Sequence, residues 1–135
     1  MQKPVIFVVD RNPIHRNLVK YHPELQNFAI VQSFPSGDEC LYRLRKSAQP
    51  DYLVTGVSTG DYDGFDFLSL VLGIAPAVRV ICFDTFEDSE MAEKFISAGA
   101  CDYISKTRYP ETGIAELVKN LRYLVTAKAM AAERR

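Results

Sequence analysis

The chain has 135 residues, with 16 Lys and Arg against 17 Asp and Glu and a formal net charge of −1. That length gives one domain with a proper core, and the near-neutral balance offers no electrostatic case for nucleic acid or an anionic membrane surface. No apolar run reaches the roughly 18 residues needed to span a bilayer, and the apolar start is too short for a signal peptide, so the expected location is cytoplasmic.

Two hydrophobic periods alternate along the chain. Residues 4–9 form a short continuous apolar run, the mark of a strand buried on both faces. Asn12 then caps a helix whose first residue is Pro13, a position proline suits. Ile14, Leu18 and Tyr21 give that helix an apolar stripe, ending near Pro23. Residues 28–33 read as a second strand. Ser36 and Gly37 open a second helix carrying Cys40, Leu41 and Leu44, which ends near Ala48.

The third strand covers 52–57 and the third helix 65–72. A fourth strand at 78–83 is followed by a helix over 87–98, with Gly99 as its left-handed cap. A short fifth strand covers 101–104, and the last helix starts at Pro110. This is (βα) five times over, which predicts a parallel sheet with helices on both faces. The last helix carries Ile114, Leu117, Leu121 and Leu124 at spacings of three and four. Lys128 and Ala131 continue the count through a tail rich in helix formers. The domain is therefore assigned to 1–125, and 126–135 to a helical extension that would link to a C-terminal output domain.

Cys40, Cys82 and Cys101 are odd in number and form no CxxC pair, so they are expected to act as small hydrophobes and not as metal or redox groups. His15 and His22 stand about two helical turns apart with no Cys or carboxylate at ligand spacing, and are expected to be exposed. The third strand raises the main question. In an α/β sheet, chemistry gathers at the C-terminal ends of the strands. This strand ends on Gly56, which has no functional group. The following loop offers Ser58, Thr59, Asp61 and Asp63, yet no general base stands beside its hydroxyls.

The strand ends carry a family pattern. VVDRNP follows the first strand, SGDECL opens the second helix, and PDYLVTGV, the Asp63-Gly64 pair and AGACDYISK follow in order. Together they resemble the response-regulator receiver domain of two-component signalling over essentially the whole chain. The resemblance implies a flavodoxin-like fold with strand order 2-1-3-4-5. It also implies a site in which two acids after the first strand bind Mg²⁺, an Asp ending the third strand accepts a phosphoryl group, a Thr or Ser ends the fourth, and a Lys follows the fifth. Mapped onto this sequence, the first acid is Asp10, but Arg11 stands where the second would be. The acceptor position is Gly56. The hydroxyl position is Asp84, with Thr85 one step later. The Lys is kept as Lys106, and the aromatic switch position is Tyr103. The resemblance is thus to a degenerate pseudo-receiver.

Charge counting gives this a physical reading. Asp10 and Asp84 against Arg11 and Lys106 sum to zero without a metal, and buried charges must be paired. Mg²⁺ prefers an octahedron of oxygens with more than one carboxylate, so its binding is expected to be weak or absent and no cofactor is assigned. Asp84 is expected to partner Lys106, and Gly56 to leave a gap open to water or a ligand. Asp61 and Asp63 read as loop and helix-start residues. The expected function is non-catalytic and phosphorylation-independent signalling through a protein partner or homodimer, using the face made by the fourth helix, fifth strand and last helix. The alternatives are a small-molecule-binding regulatory domain using the strand-end crevice, and a phosphoryl acceptor built on Asp10, Asp61 or Asp84.

Overall fold

The computed structural model describes residues 2–47, 49–84, 89–105 and 110–133. Its elements run β1 (Val5–Val9), α1 (Pro13–Lys20), α2 (Pro23–Phe28), β2 (Ile30–Phe34), α3 (Gly37–Lys46), β3 (Tyr52–Thr55), α4 (Gly64–Ile74), β4 (Arg79–Asp84), α5 (Ser89–Ser97), β5 (Asp102–Ser105) and α6 (Pro110–Glu133). The strands form one five-stranded sheet in the order β2-β1-β3-β4-β5, every pairing parallel. This is the flavodoxin-like order expected above.

Side chains alternate across a strand, and the core divides accordingly. Phe7, Val9, Leu53, Val80 and Cys82 pack with Leu41 and Leu44 of α3, Phe67 and Val71 of α4, and Phe95 of α5. Ile6, Val8, Tyr52, Val54, Ile81 and Phe83 face the other way, onto Val19, Leu25 and α6's Ile114, Leu117, Val118 and Leu121. Two-sided burial explains why the central strands read as continuous apolar runs.

The helix starts follow local chemistry. The Asn12 side chain accepts N–H bonds from Ile14 and His15, Ser36 accepts from Glu39, and Asp63 accepts from Phe65 and Asp66. Gly99 adopts φ +117°, and a β-carbon there would meet Leu72 at 2.6 Å, so the left-handed position after α5 needs glycine.

The first helix differs from expectation. It ends at Lys20, and Pro23 starts a second, short helix instead of closing the first. The Ile14, Leu18 and Tyr21 stripe faces outward, with Ile14 69% and Tyr21 62% exposed, while Val19 is the buried residue of α1. Val19 packs into the core, and Arg16 donates from Nη1 to the Asp10 carbonyl at 2.8 Å, consistent with this rotation. The histidines also differ: His15 and His22 are half-buried, His22 as the residue before α2. Cys40 and Cys82 are buried as expected, but Cys101 is exposed, because it precedes β5 at the sheet's rim. Burial pushes the Cys40 thiol up to about 12, which keeps it protonated and inert.

Candidate functional site

Because the strands are parallel, their C-terminal ends share one edge. Asp10 and Arg11 follow β1, Gly56 follows β3, Asp84 ends β4, and Tyr103 lies within β5. The structure therefore gathers these predicted positions at one end of the sheet. Thr85 and Lys106 lie outside the described residues, so the expected Asp84–Lys106 pair does too.

The gap expected at Gly56 is filled. Asp84 turns its carboxylate across from the neighbouring strand. Its Oδ2 accepts the Val57 N–H at 2.8 Å. A β-carbon built at Gly56 would stand 2.5 Å from that same oxygen and 3.6 Å from Cγ. The carboxylate thus occupies the space a side chain at 56 would need, and any such side chain would have to displace it. A charge-assisted hydrogen bond of this kind contributes about 1.5–3 kcal/mol. Asp84 is half-buried and is the last residue of β4.

Val57 passes the link onward. Its carbonyl accepts the Gly64 N–H at 2.8 Å, and a β-carbon at Gly64 would lie 2.5 Å from that carbonyl oxygen. The β3–α4 loop is closed tightly against its own start. Phe65, the next residue, stacks on Phe95 of α5 with centroids 4.2 Å apart. Phe95 in turn meets the half-buried Tyr103 ring at 6.2 Å.

On the β1 side, Asp10 accepts the Asn12 N–H on Oδ1 at 2.9 Å. Arg11 is exposed, but its stem runs along the loop: Cδ would be 3.1 Å from a β-carbon at Gly60, where φ is +95°.

Asp61 has a role that sequence reasoning missed. Its Oδ1 accepts from Gly37 N at 2.9 Å and from Thr59 Oγ1 at 2.7 Å, and its Oδ2 accepts from Asp38 N at 2.9 Å. It therefore caps α3 from a distant loop, beside the local Ser36 cap. Burial pushes the Asp61 carboxyl up, but these hydrogen bonds outweigh it and hold the group below the usual carboxylate range. Thr59 is buried and also accepts the Tyr62 N–H at 3.0 Å, while Tyr62 Oη donates to Asp38. The only sequence signal was the Ser-Thr-Gly-Asp turn composition, which does not reveal that the loop folds onto α3.

A parallel five-stranded sheet in this order, with charged side chains gathered at its carboxyl edge, defines a doubly wound α/β domain of the flavodoxin-like kind. Residues 6–119 match the response regulator receiver domain, and the chain belongs to that family. A protein-glutamate methylesterase/protein-glutamine glutaminase of Yersinia pseudotuberculosis is 29% identical over 122 residues, which cover 86% of this chain and 33% of that protein. The chain thus spans about a third of the length of this curated relative. Among solved structures, the response regulator DrrB of Thermotoga maritima is 27% identical with a TM-score of 0.73, covering 90% of this chain and 54% of that one. The BeF3-activated DrrB receiver domain is 26% identical with a TM-score of 0.72, covering 90% and 99%. The protein is a receiver domain of a two-component system. No helix among the described residues is long and apolar enough to cross a membrane.

Proposed function

We propose that this receiver signals without aspartyl phosphorylation, as a non-catalytic pseudo-receiver acting through protein contacts. One observation carries the reading: the Asp84 carboxylate fills the position that a side chain at residue 56 would need. An acceptor carboxylate must be reachable by a phosphodonor, and aspartyl transfer needs a divalent cation to offset charge on the moving group. Here Gly56 supplies no acceptor, and Asp84 Oδ2 is committed to Val57.

The donor set does not fit Mg²⁺. Asp10 is followed by Arg11, a cation in place of a second acid. Among the described residues no group of three or more His, Cys, Asp or Glu side chains converges as a metal site. Asp61 is tied to the start of α3, which weakens the alternative of a displaced acceptor.

Output would use the face of α5, β5 and α6. Ile96 on α5 is 45% exposed, and Tyr103 reaches this face from the aromatic chain Phe65–Phe95–Tyr103. The partner is a protein or a second copy. α6 continues unbroken to Glu133 and would carry the domain's state to a C-terminal output domain, in keeping with the greater length of its relatives. Leu117 and Leu121 of α6 are fully buried, so they belong to the domain core and are not open to pairing with a second copy.

Incubation with acetyl phosphate and Mg²⁺, followed by intact-mass measurement, tests the proposal. No adduct is expected. A stoichiometric phosphate-mass adduct that is lost in alkali would overturn it.

A further inference from the structure

The opposite, N-terminal edge of the sheet carries a second feature. α6 runs past the strand starts, and a cleft of about 590 Å³ opens between it and the beginnings of β3 and β4. That size suits a small molecule. One wall is apolar, formed by Leu124, Ala127 and Ala131 of α6, with Val78 opposite. Its charged groups are Asp51, Arg79 and Lys128. Asp51 is already engaged: Oδ2 accepts the Val5 N–H at 2.9 Å and Oδ1 stands 3.6 Å from Lys128 Nζ. Among the described residues no carboxylate forms an ion pair with Arg79, which leaves it as the uncompensated cation of the cleft.

Tyr52 adds an independent observation. It also lines the cleft, is 1% exposed, and its hydroxyl has no hydrogen-bond partner among the described residues. Arg79 is its register neighbour on β4. Burial raises the Tyr52 pKa, and the Arg79 guanidinium opposes that rise both by its charge and by its approach to the hydroxyl, although the two do not meet in hydrogen-bond geometry. A buried hydroxyl left without a partner costs stability, and phenylalanine would fill the same space without that cost. Arg79 is exposed, so its side chain is free to swing and admit an oxygen between guanidinium and hydroxyl.

We propose that this cleft binds a small monocarboxylate with a short apolar chain, its carboxylate held by Arg79 and the Tyr52 hydroxyl and its chain laid along the alanine face of α6. One uncompensated cation and one neutral donor match a single negative charge. The site stands apart from the carboxyl edge and does not depend on the loss of phosphorylation there.

The test uses the ¹⁵N-labelled chain and three probes: hexanoate, acetate, which lacks the chain, and hexanol, which lacks the charge. Hexanoate should give saturable amide shifts around Tyr52, Arg79 and Ala127, and the other two should bind at least about tenfold more weakly. Tyr52→Phe should melt at or above the parent temperature and lose about tenfold in hexanoate affinity, and Arg79→Gln should lose a similar factor. Absence of saturable hexanoate shifts at these residues overturns the site. So does hexanol binding as well as hexanoate, or a Tyr52→Phe variant that binds hexanoate like the parent. A Tyr52→Phe variant that melts lower would give the hydroxyl a structural role instead.

Discussion

Gly56→Ala is the smallest change that tests whether Asp84 has taken over the end of β3. The added methyl would sit 2.5 Å from Asp84 Oδ2, with the next nearest atoms at 3.6 Å, so the carboxylate is the one group that must yield. Yielding breaks its bond to the Val57 N–H, a loss of about 2 kcal/mol. For a domain of this size that lowers the melting temperature by about 7 °C. Asp84→Ala removes the same bond from the other side and leaves Val57 unpaired, again costing about 2 kcal/mol or more. The double variant has a methyl at 56 and nothing for it to strike. Its cost should therefore stay near that of Asp84→Ala alone, giving a coupling energy of about 2 kcal/mol between the sites. Urea melts of the parent, both single variants and the double variant measure this directly. Additive costs, or a Gly56→Ala variant as stable as the parent, would refute the account of a shared space.

Two further outcomes follow from the same geometry. Gly56→Asp should not confer tight Mg²⁺ binding, because the new side chain meets Asp84 while Arg11 still opposes a cation; calorimetry should find binding only once Arg11→Asp and Asp84→Thr are added, and tight binding by the single variant would contradict the charge count. The Asp61 carboxyl is depressed in the folded state, so its stabilising contribution is present above the unfolded carboxylate range, near pH 4, and is lost as pH falls through its lower folded value. Thermal melts between about pH 5 and pH 2 should show Asp61→Asn with a shallower acid decline than the parent, and identical slopes would remove Asp61 from the capping role.

Most of the fold was legible because its signals are local. Continuous apolar runs marked strands buried on both faces, and Asn12, Ser36, Asp63 and Gly99 marked helix ends by chemistry that acts within a few residues. The first helix was misread because its apolar stripe and its buried face do not coincide. A side-chain bond from Arg16 to the Asp10 carbonyl, six residues back, ties the helix to the end of β1, and periodicity carries no trace of it. The site shows the same division. Its positions were legible from the strand ends, and the loss of a side chain at 56 is plain in the sequence. What fills the place was not, since the answer comes from Asp84, 27 residues beyond the Val57 it bonds. The capping of α3 by Asp61 spans 24 residues to Gly37 and was hidden for the same reason.

Adjacent strand ends in a sheet stand only about 4.8 Å apart, so a carboxylate on β4 reaches the space above the end of β3. Moving it there changes what it holds. On β3 it would belong to the loop it guards. On β4 it ties that strand to the β3–α4 loop through Val57, whose carbonyl anchors Gly64. Phe65 then stacks on Phe95, and Phe95 touches Tyr103. Each step is a direct contact, so the end of β4 has a packed route to the α5–β5 surface that involves no phosphoryl group. Spatial continuity alone does not establish coupling, which makes the prediction specific. Asp84→Ala should alter the ring environment of Tyr103, while Asp61→Asn, which acts on α3 at the other side of the loop, should not. Aromatic proton spectra of the two variants against the parent report this. If the Tyr103 signals stay in place when Asp84 is removed, the carboxylate holds the loop and does nothing further.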